Sequence, residues 1–175
     1  MARLPYVDSE KAAPAPDANI FRLMAHAEAT YRDWLRFGAS VLTEMALDAV
    51  LRELAILRVA ALTPGAEYEW VQHEHIARSL GMTDAQVEGA RTGEGLGGDD
   101  ALVARFTEQV VRDAAPDDET FAAVAERFPP REIIELLLAI GQYMMVARVM
   151  ATAQIDMDPP IGSDALRQGR AVSSE

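Results

Sequence analysis

The chain has 175 residues, 50% hydrophobic and 25% charged, with a formal net charge of −12 and no cysteine. That length suits one domain that buries roughly 70% of its unfolded surface without a covalent staple. Disulfides, thiolate catalysis and cysteine-bound metals are excluded, and so acidic a chain repels phosphate backbones, which argues against nucleic-acid partners.

Residues 1–17 carry Pro5, Pro14 and Pro16 and read as an extended arm that lies across the domain or a partner subunit. The arm has no apolar h-region, so a signal peptide is not expected. It holds Lys11, the single lysine, which leaves Schiff-base chemistry without a suitable residue. From Asn19 to about Met45 the apolar residues keep helical spacing, with Gly38 as a candidate bend. Asp48 is placed to cap a helix reading AVLRELAILRVAAL, which Thr63-Pro64-Gly65 ends. A helix over about 66–80 follows, closed by Gly81. Thr83 with Gln86 three residues on forms a capping box for a short helix to about Arg91.

Thr92 to Asp100 reads as a glycine-rich loop, and with no strand before it the loop is no nucleotide fingerprint. Helices over about 100–114 and 118–127 come next, the second capped by Asp117. Pro130 suits the first turn of a last helix to about Ile155. That helix is apolar almost all round, so it is either a central core helix or one shared between the core and another subunit. Its apolar run is interrupted by Glu135, Gln142, Arg148 and Gln154, short of the ~20 residues of a membrane span. Residues 156–175 read as a loose polar tail. The expectation is an all-α domain of about seven helices over 18–155, soluble and cytoplasmic, with no membrane partner.

The stretch AEYEWVQHEHIA, Ala66 to Ala77, holds two of the three histidines, His73 and His75. Two residues apart on a helix, they point about 200° from each other and cannot share a metal. Glu69 and His73 are four apart and share a face. A carboxylate beside an imidazole is what proton transfer near neutral pH requires, although the same pair also serves structural networks. Glu53 lies ten residues before Thr63 and His73 ten after it, so a hairpin of the two helices brings them face to face. Glu53, Glu69 and His73 are therefore the candidate catalytic residues. The same three could instead offer ligands to a metal, though no metal is expected. Arg58 is a candidate for anion binding or a structural ion pair. Tyr68 and Trp70 either line a substrate pocket or pack as ordinary aromatics. His75 reads as a surface or interface residue, and His26 as structural.

RELAILRVAAL, AEYEWVQHEHIARSLGMTDAQVEGARTG and REIIELLLAIGQYMMVARVMA together resemble the carboxymuconolactone decarboxylase family, within the alkylhydroperoxidase-D-like (AhpD-like) superfamily, over about residues 18–155. The resemblance implies an AhpD-like helical bundle assembled as a homo-oligomer, a trimer or hexamer, with the active helices near subunit contacts. Peroxidase members carry C-x-Y-C-x-x-x-H-x-x-x-A. Laid on this chain, the two cysteines fall on Ala66 and Glu69, while Tyr68, His73 and Ala77 match and the family's assisting glutamate falls on or beside Glu53. Thiol peroxidase chemistry is thereby ruled out. The decarboxylase branch implies a carboxy-lyase-like enzyme that needs no cofactor. It would act by acid/base chemistry (decarboxylation, isomerisation or ring opening) on a small oxygenated carboxylic acid or lactone. A non-catalytic oligomeric ligand-binding protein is the alternative.

Overall fold

The structure is a computed structural model that describes residues 1–161. Among the described residues there are nine helices and no strand: α1 (Ser9–Ala12), α2 (Asn19–Met24), α3 (Glu28–Thr43), α4 (Ala49–Leu62), α5 (Glu67–Ser79), α6 (Asp84–Thr92), α7 (Gly98–Asp113), α8 (Asp118–Arg127) and α9 (Pro130–Ala153). The all-α expectation holds, and the helix count exceeds it by two. One addition is the single turn α1 within the arm. The other arises because the helix expected over 19–45 is two helices, broken at residues 25–27 rather than bent at Gly38. The cause is the arm. Val7 N–H donates to Arg22 O, the carbonyl a continuous helix would offer His26, and Arg22 Nε donates back to Val7 O. His26 is held by Pro5 O at 2.7 Å from Nε2, a structural role as expected.

The caps follow the sequence. The Asp48 side chain accepts from Val50 and Leu51 N–H, Thr83 and Gln86 form the capping box, Asp117 accepts from Thr120 N–H, and Pro130 opens α9. Each such cap is worth about 1 kcal/mol.

The centre of the fold is α4. Every residue from Leu51 to Ala60 is buried, because α5, α6, α7 and α9 pack around it. Its side chains Leu54, Ile56, Leu57 and Val59 are fully enclosed. Each contributes roughly 1.5–3 kcal/mol on burial. A helix so placed cannot send its polar side chains to water, so Arg52, Glu53 and Arg58 must find partners inside the protein.

One face of α9 packs into this core through Leu136, Ala139, Ile140, Tyr143 and Ala147. By length and composition alone α9 is long and apolar enough to cross a membrane, contrary to the expectation from its interrupting polar residues, and half of its apolar window is buried within the fold.

The tail expectation is corrected for residues 156–161, which are pinned. Asp158 accepts from Tyr68 Oη–H and Asn19 N–H, both at 2.6 Å, and Ile161 N–H donates to Gln72 Oε1 at 2.9 Å. Buried polar groups on α5 supply the anchors that a composition-based reading could not see. The rest of that tail, 162–175, lies outside the described residues. The arm meets the same end of the fold: Arg3 N–H donates to Ala153 O, and Asp156 accepts from Tyr6 Oη–H.

Candidate active site

Thr63-Pro64-Gly65 turns the chain so that α4 and α5 lie side by side. Gly65 has φ +84°, a conformation that strains any other residue, and a Cβ there would also crowd Ala151 Cβ at 3.1 Å. The hairpin brings Glu53 and His73 into contact, Oε2 to Nδ1, at 2.8 Å. Glu53 Oε1 accepts from Arg52 Nε and Nη2 at 3.2 and 3.1 Å. All three side chains are buried. A carboxylate that also faces a guanidinium is an acceptor, so Nδ1 carries the proton toward Glu53. The lone pair of the imidazole is then on Nε2.

Glu69 is on the same face of α5 but does not bond to His73. It is 2% exposed, and neither carboxyl oxygen has a hydrogen-bond partner among the described residues. Burial pushes its carboxyl well above the usual carboxylate range, and the negative charge of Glu53 adds to the shift. The neutral acid, a hydrogen-bond donor, is the favoured form. Tyr143 of α9 stands edge-on to the imidazole, with ring centroids 4.5 Å apart and planes at 82°. Its phenol is raised well above its ordinary value by burial first, then by Glu53 and Glu69, so it too keeps its proton.

These groups meet at a cavity of about 130 Å³ whose lining includes Trp34, Tyr68, Glu69, His73, Gln142 and Tyr143. The remaining wall is apolar apart from Gln72 of α5, and is drawn from α2, α3, α5 and α9, with Ala15 and Pro16 of the arm and Ile161. Glu53 and Arg52 stand behind His73, outside the lining. The indole Nε1 of Trp34 is a second buried group without a partner among the described residues.

Of the six candidates from the sequence, Glu53, His73, Glu69 and Tyr68 are brought together. Trp70 and Arg58 are not. Trp70 is one residue beyond Glu69, about 100° round the helix, and joins the main core. Its Nε1 donates to Glu74 Oε2 at 2.7 Å, and the Arg91 guanidinium lies 3.8 Å over its ring. Arg58 is five residues beyond Glu53, about 140° round α4, and faces α6 and α7. It pairs with Glu108 and donates to the carbonyls of Ala90 and Arg91 at 3.4 and 3.0 Å, closing the C-terminal end of α6. A Cβ at Gly93 would meet that guanidinium at 2.6 Å. Arg58 is a structural ion pair. Arg58→Ala is expected to lower unfolding free energy by about 1.5–3 kcal/mol, the worth of hydrogen bonds to a charged group, and to leave ligand binding in the cavity unchanged. Denaturant titration beside a binding isotherm reads both, and a binding defect in a stably folded variant would contradict the assignment.

Sequence reasoning missed Arg52, Tyr143, Gln142 and Trp34. Arg52 carried a signal: two adjacent charges inside AVLRELAIL need partners once that helix is buried. Tyr143 and Gln142 lay within a quoted motif but had no assigned role. Trp34 carried no signal. His75 is exposed, as expected, and faces away from His73. As for the metal alternative, Glu53 spends both oxygens on Arg52 and His73. Among the described residues no group of three His, Cys, Asp or Glu side chains is arranged to hold a metal ion.

The raised Glu69 carboxyl has a consequence for stability. Its folded value lies above its unfolded value, so its contribution is fully present below the ordinary carboxyl value of 4.5 and is lost as pH rises through the folded value. Glu69→Gln removes this dependence. Urea midpoints of the variant should gain on the parent progressively as pH rises above 4.5; a pH-independent difference between the two would contradict a raised carboxyl.

The model of the carboxymuconolactone decarboxylase family matches residues 28–111, a span that contains Glu53, Glu69 and His73. A crystal structure described as an alkylhydroperoxidase AhpD core, an uncharacterised peroxidase-related protein from Ralstonia eutropha JMP134, superposes with a TM-score of 0.73. That match covers 97% of this chain and 96% of the other at 17% identity, which establishes a shared fold. No curated protein matches the chain significantly. Residues 28–111 of this cysteine-free chain are thus similar to the carboxymuconolactone decarboxylase family, and the chain shares the fold of an AhpD core.

Proposed function

We propose that the cavity performs cofactor-independent proton transfer on a small oxygenated molecule, with His73 as the group that removes and returns the proton. The observation that carries this reading is the division of labour on one imidazole: Nδ1 is fixed by Glu53, while the ring lines a cavity and has Nε2 left for a ligand. In the step envisaged, Nε2 takes a proton from carbon beside a carbonyl, and the C–H electron pair moves into the carbonyl as an enol or enolate. Glu69, as neutral acid, hydrogen-bonds to the oxygen on which charge develops. Glu53 stabilises the imidazolium, which then returns the proton to the same carbon or to another. Proton return to another carbon is isomerisation; the same delivery of a proton to carbon would complete a decarboxylation or follow a ring opening. A thiol relay has no cysteine to run on.

The test is exchange of carbon-bound hydrogen for deuterium in small cyclic ketones and lactones, followed by NMR in deuterated buffer. Exchange well above the buffer rate, lost in His73→Gln, supports the reading. Equal exchange in parent and variant would sink it.

We also propose that the partner is a second copy of this chain, seated on the outer face of α9. Ile134, Leu138, Gly141, Met145 and Arg148 are all exposed, at spacings of four, three, four and three. Such spacing is the a/d seam of paired helices. Ile134, Leu138 and Met145 are 55%, 44% and 41% exposed, unusual for large apolar side chains on one stripe. Leu138→Glu with Met145→Glu is expected to shift the protein to its monomer mass in light scattering. An unchanged mass would place any interface elsewhere.

A further inference from the structure

We infer that the ligand of the His73 cavity is an uncharged molecule of about one ring, which presents a carbonyl oxygen to Glu69, and that ring carboxylates are rejected, which leaves isomerisation or ring opening, and not decarboxylation, as the reaction. The chemistry in this inference rests on the proposed role of His73, but the choice of ligand class rests on the cavity itself.

Size comes first. A cavity of about 130 Å³ compares with the cavity of about 150 Å³ that takes up benzene in an engineered protein core, so one six-membered ring fills it. Charge comes next. Among the described lining residues there is no arginine or lysine. The two arginines of α4 cannot serve from behind: Arg52 is spent on Glu53, and Arg58 faces α6 and α7. A carboxylate brought into this apolar wall would lose its hydration with no cation to replace it. The net charge of −12 also opposes the approach of an anion.

Hydrogen bonding completes the match. Two side chains lining the cavity hold buried polar atoms without partners among the described residues, the Glu69 carboxyl and Trp34 Nε1. An indole N–H is a donor only, and a neutral carboxylic acid offers one O–H. Such donors leave a deficit that an acceptor oxygen removes. A ketone or lactone carbonyl supplies that acceptor without bringing a charge.

The experiment titrates the unaltered protein near neutral pH with cyclohexanone and δ-valerolactone, and in parallel with cyclohexanecarboxylate and benzoate. Binding is read by calorimetry and by saturation-transfer NMR. The neutral rings are expected to compete for one site, and the carboxylates to bind at least about tenfold more weakly, a difference of about 1.4 kcal/mol. Trp34→Phe, checked for helix content, should weaken the neutral rings about fivefold if its N–H meets the ligand. Carboxylates that bind as well as the neutral rings overturn the inference, and so does failure of both neutral rings to bind. Neutral rings that bind but exchange no hydrogen uphold the ligand class while removing the proton-transfer role. Carboxylated rings that bind tightly and undergo His73-dependent exchange do the opposite.

Discussion

Glu53→Ala is expected to lower the unfolding free energy by roughly 3–5 kcal/mol, the largest loss for any single change at this site. The carboxylate is fully buried and holds two partners at once, the Arg52 guanidinium on Oε1 and His73 Nδ1 on Oε2. Removing it leaves Arg52, only 4% exposed, as an uncompensated charge in the centre of the fold. Folded domains are stable by only about 5–15 kcal/mol, so a loss of this size takes a large share. The cost comes from the stranded charge more than from the missing bond. Arg52→Met combined with Glu53→Leu removes both charges and should recover most of the stability, because apolar side chains of similar volume replace an ion pair at little net cost. Urea unfolding of the three proteins reads the difference. A loss below about 1 kcal/mol in Glu53→Ala would mean that water reaches Arg52 and that the pair is not buried in solution.

The second large effect is kinetic. His73→Gln should slow hydrogen exchange in a bound cyclic ketone by roughly 10²–10⁴-fold, the usual worth of a positioned acid/base group. Glutamine keeps a polar side chain in reach of Glu53 but has no titrating nitrogen, so fold and ligand affinity should change little. The separation between rate and binding is the informative part. A structural histidine would show the reverse, with stability and affinity falling together and the residual rate per bound ligand unchanged. Exchange at the parental rate in folded His73→Gln would remove His73 from the chemistry altogether.

The two variants locate what could be read from the chain. Absence of cysteine, the acidic balance and helical spacing throughout were enough for the fold class and for excluding sulfur chemistry. The caps at Asp48, Thr83 and Asp117 were also legible, because a cap is a local contract between a side chain and backbone N–H groups two or three residues away. The Glu53–His73 contact was legible for a similar reason: a short break at Thr63-Pro64-Gly65 folds the two helices back on each other, and equal distances from the turn do the rest. Trp70 and Arg58 misled because membership of the right helix says nothing about which neighbour fills which side. Their angular offsets from Glu69 and Glu53 were available, but the positions of α6 and α7 were not.

By itself, then, the sequence determined an all-helical, cysteine-free chain with a paired acid and histidine on adjacent helices. Periodicity, capping and residue chemistry are local properties that survive without knowledge of the packing. Tertiary structure alone decided that Glu69 is a buried carboxyl without a partner among the described residues rather than the partner of His73, that Arg52 rather than Arg58 backs the site, and that Trp34, Gln142 and Tyr143 line the cavity. These depend on what stands on the far side of each residue. Desolvation and long-range contact are set by helices distant in the chain, and no spacing within α4 or α5 encodes them.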